Sequence, residues 1–125
     1  MGRRTWESKE IAGKPLPRRL NSVLSRGPLA VPEGVVAARS IDDAIAKRGD
    51  AEEVFVIGGA EIFAALGHAA LRHVYLTRVE GRFGCDAHIP DLEVTFGVDD
   101  PTWATAVHVE SDVRFRIQRL VRRRP

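Results

Sequence analysis

The sequence predicts an α/β fold in which a mostly parallel, twisted sheet is flanked by helices and ends in a C-terminal antiparallel hairpin. Strand-like and helix-like segments alternate through most of the chain before strands dominate. Two apolar runs, Val54–Ile57 and Leu71–Val79, are rich in β-branched and aromatic residues, as in strands that are covered on both faces. Two alternating segments joined at Ser111–Asp112 predict the terminal hairpin.

Shorter elements are expected before these runs. A helical start is predicted near Thr5–Ser8, and Pro15 and Pro17 exclude a helix from the turn-rich segment that follows. The segments 20–26 and 35–38 are predicted to form short strands.

Two helices are predicted in the middle of the chain. Ser40 can cap the first, with Asp43 three residues later, and Gly49 can end it. The pair Gly58–Gly59 interrupts the apolar run before it, and Ala60–Leu66 should form the second helix.

Length and composition predict a single domain over residues 1–125. A chain of this length can bury about two thirds of its unfolded surface, and its 44% apolar and 29% charged residues are typical of folded domains. The single cysteine, Cys85, cannot form an internal disulfide, which suits a reducing compartment. No apolar run approaches the roughly 20 residues of a spanning helix. A cytoplasmic protein without a membrane partner is therefore expected.

The positive charge is concentrated at the C-terminal end. The net charge is +2, and six of the 19 basic residues lie among the last twelve: Arg114, Arg116, Arg119, Arg122, Arg123 and Arg124. Such a tail could contact nucleic acid. The alternation in "VRFRIQRL" instead predicts that its arginines lie on the solvent-exposed face of a strand. The segment "VRRRP" is interpreted as a solvated chain end, so no nucleic-acid partner is expected.

Two groups of residues are candidates for binding a phosphate. The Gly58–Gly59 turn stands between a predicted strand and a helix, where glycine allows close backbone approach to a ligand. Arginines follow short extended segments at positions 3–4, 26 and 39, so a parallel sheet would gather them at one edge. A tight turn and scattered solvated arginines remain the alternatives. The four histidines show no metal-ligand spacing, so no metal is expected.

Five consecutive blocks resemble a known family. "GRRTWES", "GKPLPRRLNSVLSR", "VFVIGGAEIFAAL", "VYLTRVEGRFGCDAHIPD" and the terminal hairpin are similar, in this order, to segments of dihydrofolate reductase. The resemblance implies reduction of 7,8-dihydrofolate to tetrahydrofolate, with NADPH as the cofactor. A reductase of riboflavin synthesis shares the architecture but matches these blocks less well, particularly "PLPRRLN".

The resemblance also implies a set of cofactor-binding residues. They come from the opening turn, from the ends of two short strands, and from the glycine pair with the helix after it. They are Gly2, Arg3, Arg4, Thr5, Leu24, Ser25, Arg26, Arg39, Gly58, Gly59, Ala60, Glu61, Ile62 and Phe63. In the family the paired glycines are joined by a cis peptide bond, and basic residues near the ribose phosphate favour NADPH over NADH.

Three further residues resemble substrate-side positions. Arg19 is similar to the arginine that pairs with the glutamate carboxylate of folate, a contact that the fork of a guanidinium suits. Lys14 resembles its helper. Thr77 resembles the threonine that is hydrogen-bonded to the catalytic acid and to the pterin.

The family pattern also contains segments that precede the turn at Gly2–Thr5. They are a central first strand, a mobile loop and a helix that bears the proton-donating carboxylate, and the sequence shows none of them, so a truncated domain without a catalytic acid is expected. The first strand would lie between Val54–Ile57 and Val74–Val79, whose unpaired edges could then self-associate. A non-catalytic fragment that binds NADPH is the alternative function.

No other acid is placed by sequence to replace the missing carboxylate. The candidates are Glu61 at a helix start, Glu80 at a strand end, and Asp86 and Asp91 in a loop. A helix cap and turn positions are the favoured interpretations of these residues.

Overall fold

A computed structural model describes residues 1–63, 67–99 and 106–124. The chain divides into two compact units, Met1–Ala65 and Leu66–Pro125. The first contains a two-stranded parallel sheet and the second a four-stranded antiparallel sheet. The expectation of one domain over the whole chain stays a prediction.

The first unit alternates short strands and helices. Its elements are α1 (Arg3–Trp6), β1 (Asn21–Leu24), β2 (Val35–Ala38), α2 (Ile41–Ala46) and α3 (Ala60–Phe63). Strands β1 and β2 pair in parallel over their full lengths, which confirms both predicted strands. The last part of the second predicted helix, residues 64–66, lies outside the described residues.

The predicted cap of α2 is confirmed. The Ser40 side chain accepts a hydrogen bond of 3.0 Å from the Asp43 backbone N–H, which satisfies one of the donors that every helix start leaves free. The helix ends at Ala46, three residues before Gly49, whose φ is +61°.

A small apolar core supports the first unit. Trp6 of α1, Val23 of β1, Ala38 of β2 and Ala44 of α2 are all buried. Each helix and strand between residues 1 and 46 therefore buries one apolar side chain. This burial stabilises the pair of short strands.

The second unit is organised around its last strand. Its elements are β3 (His73–Val79), β4 (Phe96–Val98), β5 (His108–Glu110) and β6 (Val113–Arg122). Strand β6 pairs antiparallel with each of the other three. The turn between β5 and β6 has positive φ at both Ser111 (49°) and Asp112 (65°), the geometry that suits the twist of a two-residue hairpin.

The terminal hairpin is thereby confirmed, although the predicted segment 102–105 of its first strand lies outside the described residues. One face of the sheet carries the core of the unit, formed by Leu92, Phe96 and Leu120 with Leu71, Val74 and Leu76 packed against it.

The prediction of a strand at Val54–Ile57 is wrong for the described structure. The segment forms no ladder, and Val54, Phe55 and Ile57 are 48%, 64% and 45% exposed. Its composition reflects a preference for extended backbone, whereas a strand exists only where a neighbouring backbone supplies hydrogen-bond partners.

The predicted environment of the strand Leu71–Val79 is also wrong. It forms as β3, but it pairs antiparallel with β6 and is covered on one face only. Val74 and Leu76 pack on the core, while Tyr75 and Val79 are 53% and 47% exposed. Within the described residues β3 has β6 as its one neighbour, and self-association through its other edge stays a prediction.

No helix in the described parts of the chain is both long enough and apolar enough to cross a membrane.

Candidate functional site

The opening turn and the glycine pair meet in the first unit. The Gly2 N–H donates a hydrogen bond of 2.8 Å to the Gly58 carbonyl, and the Gly58–Gly59 peptide is cis, as the resemblance implies. The Gly59 carbonyl accepts hydrogen bonds from the Ile62 and Phe63 N–H groups at 3.0 and 3.1 Å. Residues more than fifty positions apart in the chain therefore form one backbone framework.

Glycines lie where these segments touch. A Cβ at Gly2 would lie 2.9 Å from the Ile62 Cδ1 atom, closer than packed carbon atoms approach. Gly58 has a φ of +126°, which L-residues rarely adopt. A Cβ at Gly59 would lie 3.5 Å from the Thr5 hydroxyl oxygen. The glycines thus permit α1 and α3 to converge on the same turn.

The carboxyl ends of both parallel strands lie beside this framework. Leu24 forms a parallel bridge with Gly2, and its N–H donates to the Met1 carbonyl at 2.8 Å. The Ser25 N–H donates to the Ala38 carbonyl at 2.9 Å, which joins the end of β1 to the end of β2. Arg26 and Arg39 are therefore held at the same edge of the sheet, as the sequence predicts.

The arginines of this edge are exposed. Arg3, Arg4, Arg26 and Arg39 all reach solvent. Arg3 donates from Nε to Glu7 at 3.0 Å, and both side chains are about half exposed (52% and 53%), so the pair contributes little to stability. Exposed guanidinium groups complement a phosphate-bearing ligand.

An acidic residue beside this edge, Asp43, is engaged at the start of α2. The Asp43 carboxylate accepts hydrogen bonds from the Arg39 backbone N–H at 3.0 Å and from Lys47 Nζ at 3.1 Å. These two contacts lower the pKa of Asp43 below its ordinary value, the backbone contact having the larger effect.

The predicted substrate-side arginine lies in an exposed turn before β1. Arg19 donates from Nε to the Pro17 carbonyl at 3.0 Å, and Lys14 is also exposed. Sequence reasoning missed Asn21, which is 4% exposed and bonded to this turn. The available signal was a carboxamide at the start of a predicted strand, directly after a proline-rich turn.

Thr77 lies in the second unit, on the exposed face of β3. It is paired with Ile117 of β6 and lines an open groove with Val79, Val113 and Phe115. The structure therefore places Thr77 at an accessible surface of its own unit.

The four acids considered as proton donors are exposed. Glu80 lies 3.7 Å from Arg114, and Asp91 accepts a hydrogen bond of 2.9 Å from the Glu93 N–H. A carboxylic acid that protonates a pterin requires a dry pocket, and neither these two nor Glu61 and Asp86 provides one. Among the described residues no group of three or more His, Cys, Asp or Glu side chains could hold a metal ion.

The arginine-rich end is less solvated than predicted. Arg122 donates to the carbonyls of Leu71 and His68 at 2.8 and 2.6 Å, and its guanidinium lies 5.2 Å from the Phe96 ring centre. Arg123 donates to the carbonyls of Glu93 and Phe96. The interpretation of "VRRRP" as a solvated end is wrong for Arg122, which is half-buried because the carbonyls of Leu71 and His68 bind its guanidinium, whereas Arg123 and Arg124 are exposed.

One arginine of the predicted wet strand face is also engaged. Arg119 is paired with Asp99, and this contact raises the pKa of the guanidinium. Arg119 lies on the opposite face of β6 from the exposed Arg114 and Arg116.

A parallel strand pair whose carboxyl ends meet a glycine turn is typical of nucleotide-binding α/β proteins. The family model described as dihydrofolate reductase matches residues 1–118. The chain therefore belongs to the dihydrofolate reductase family, as the sequence predicts.

Individual relatives agree with this assignment. Dihydrofolate reductase type 3 from Salmonella typhimurium is 45% identical over 91 residues, which cover 73% of this chain and 54% of the relative. The bifunctional dihydrofolate reductase-thymidylate synthase of Zea mays is 34% identical over 132 residues, with coverage of 98% and 25%. The chain thus spans about half of the first relative's length and a quarter of the second's.

A solved structure shares the fold. Schistosoma mansoni dihydrofolate reductase superposes with a TM-score of 0.77 at 29% identity, covering 97% of this chain and 72% of that one. This likeness confirms the predicted α/β, dihydrofolate-reductase-like fold class.

Proposed function

We propose that this protein is a dihydrofolate reductase, which reduces 7,8-dihydrofolate to tetrahydrofolate with NADPH. Membership of the family supports the reaction class. The observation that carries the proposal is the hydrogen bond of 2.8 Å between Gly2 and Gly58. It joins the phosphate-turn segment to the paired-glycine segment, which the sequence alone leaves far apart.

The residues of the first unit fit a dinucleotide. Gly2 packs closely against the Ile62 side chain, and the glycine pair lets α3 begin against the opening turn, so a ligand could approach backbone rather than side chains. We assign Arg3 and Arg4 to the pyrophosphate. When bound, NADPH supplies the hydride that reduces the pterin ring.

The charge of the strand ends favours the phosphorylated cofactor. Arg26 and Arg39 are exposed and follow β1 and β2, whose ends are joined by the Ser25–Ala38 hydrogen bond. Two guanidinium groups at one edge would bind the ribose phosphate of NADPH and would gain nothing comparable from NADH.

The substrate side rests on Arg19, Lys14 and Thr77. In this proposal Arg19 pairs with the glutamate carboxylate of dihydrofolate, Lys14 adds positive charge, and the Thr77 hydroxyl hydrogen-bonds at the pterin. The exposure of all three residues is consistent with ligand contact.

The direct test is a spectrophotometric assay. Dihydrofolate is added to the chain with NADPH, and the loss of NADPH absorbance is followed against a control without dihydrofolate. Oxidation that depends on dihydrofolate would support the proposal. A ribitylamino-pyrimidine phosphate substrate in a parallel assay distinguishes it from a reductase of the riboflavin-synthesis type.

One observation favours a second candidate function, a non-catalytic NADPH-binding protein. The acids weighed as proton donors are all exposed, whereas a carboxylic acid that protonates a pterin requires a dry pocket. NADPH binding without turnover of dihydrofolate at any pH from about 5 to 8 would favour this candidate. Turnover would reject it.

A further inference from the structure

Asn21 is a buried polar residue with an unusually complete set of contacts. Its side chain is 4% exposed, at the first position of β1. The Oδ1 atom accepts a hydrogen bond of 2.8 Å from the Leu16 N–H. The Nδ2 atom donates to the Leu16 carbonyl at 2.9 Å and to the Arg19 carbonyl at 3.0 Å. Both amide donors are therefore satisfied, as a buried carboxamide requires.

All three of these hydrogen bonds go to the turn that precedes β1. Pro17 fixes its own φ, but Arg18 adopts a φ of +61°, a conformation that costs energy for a residue with a side chain. The turn therefore needs contacts from outside to hold its shape. Asn21 provides them from the buried end of a strand, so the turn is fixed to the parallel sheet.

The turn carries two exposed arginines, Arg18 and Arg19, and a side-chain hydrogen bond orients the guanidinium of Arg19. The Arg19 carbonyl is bound by Asn21, and the Arg19 Nε donates to the Pro17 carbonyl at 3.0 Å. In the described part of the chain the two terminal nitrogens of Arg19 have no acceptor. This leaves an edge of the guanidinium open to a carboxylate, which can accept two parallel N–H bonds.

We propose that Asn21 is a positioning residue for the substrate tail: its amide fixes the turn from Leu16 to Arg19 so that the Arg19 guanidinium is already oriented for a carboxylate. This inference rests on the proposed function, because it assigns Asn21 a role in binding dihydrofolate. A preordered arginine loses less conformational freedom on binding, so the ligand binds more tightly without touching Asn21.

The test compares two ligands that differ in the tail. 7,8-Dihydrofolate carries the glutamate, whereas 7,8-dihydrobiopterin has the same dihydropterin ring without it. Dissociation constants of both are measured by calorimetry without NADPH, so that neither ligand is reduced, for the unmodified chain and for Asn21→Ala. We expect Asn21→Ala to weaken dihydrofolate binding about tenfold and dihydrobiopterin binding less than about twofold.

Two further variants separate positioning from stability. Ser22→Ala is the matched control, because Ser22 is the next residue of β1 and, within the described residues, its hydroxyl forms no hydrogen bond to the turn; it should leave both constants unchanged. Asn21→Asp keeps the size of the side chain and the acceptor for the Leu16 N–H, but it loses both donors. It should reproduce the selective loss if Asn21→Ala does not fold.

A double-mutant cycle with Arg19→Gln completes the test. If Asn21 acts through Arg19, adding Asn21→Ala to Arg19→Gln should cause no further loss of dihydrofolate affinity. Additive losses, equal losses for both ligands, no loss, or failure of both Asn21 variants to fold would overturn the inference and leave the proposed function standing. No binding of dihydrofolate to the unmodified chain would instead overturn the proposed function itself.

Discussion

Replacing Gly58 by alanine tests the backbone framework of the cofactor site. The φ of Gly58 is +126°, and an added Cβ would lie 3.6 Å from the Phe63 ring, which is an ordinary contact. The cost therefore comes from backbone conformation rather than from a clash. A residue with a side chain held in such a region costs about 1–3 kcal/mol.

Gly59→Ala is the matched control for this substitution. Gly59 has no positive φ, and its added Cβ would meet the Thr5 hydroxyl oxygen at 3.5 Å. We expect its free energy of unfolding to change by no more than about 0.5 kcal/mol.

Urea unfolding followed by circular dichroism measures both variants. With a slope of about 2 kcal/mol per M, a loss of about 2 kcal/mol lowers the Gly58→Ala midpoint by about 1 M. Midpoints of the two variants that agree within about 0.2 M would refute the assignment of strain to Gly58.

Three further predictions follow from individual contacts. Ser40→Ala removes the acceptor for the Asp43 N–H and should lower the free energy of unfolding by about 1 kcal/mol, which thermal unfolding would show; an unchanged midpoint would contradict the cap. The Arg39 N–H and Lys47 lower the pKa of Asp43. The ionised Asp43 carboxylate therefore stabilises the fold at any pH above the ordinary carboxyl pKa, and this stabilisation is lost as the pH falls through the lowered pKa of Asp43. Urea midpoints of Asp43→Asn should therefore fall less on acidification than those of the unmodified chain, and parallel curves would contradict this. Arg122→Ala removes two hydrogen bonds to carbonyls and a contact with the Phe96 ring, so it should lower the free energy of unfolding by about 2–3 kcal/mol. The control Arg124→Ala, at an exposed position, should lower it by less than about 0.5 kcal/mol. Equal urea midpoints of the two variants would refute the structural role of Arg122.

Short sequence motifs correctly predicted the elements whose defining contacts join residues close together in the chain. Ser40 and Asp43 identify a helix start because the capping contact spans three residues. The two-residue turn at Ser111–Asp112 was found because alternating segments flank it. Val54–Ile57 shows the limit, since its side chains favour an extended backbone but its pairing depends on other parts of the chain.

The roles of the site residues stay predictions. The resemblance identified Gly2 and Gly58 as members of one site, and the backbone contact between them agrees with that. The role of Asn21 could not be read from the sequence, because its hydrogen bonds depend on how the turn at Arg18 folds back onto β1. The alternation of the last strand did not predict the side-chain contacts of Arg122, because they depend on where the carbonyls of Leu71 and His68 lie beside the end of β6.

The central claim is that the first unit presents an anionic-cofactor site with a preference for NADPH, and a paired titration tests it most directly. Dissociation constants of NADPH and NADH are measured by fluorescence for the unmodified chain and for Arg26→Gln. We predict that NADPH binds at least about tenfold more tightly than NADH and that Arg26→Gln removes most of this difference. Equal affinities in the unmodified chain, or no binding of either nucleotide, would contradict the claim.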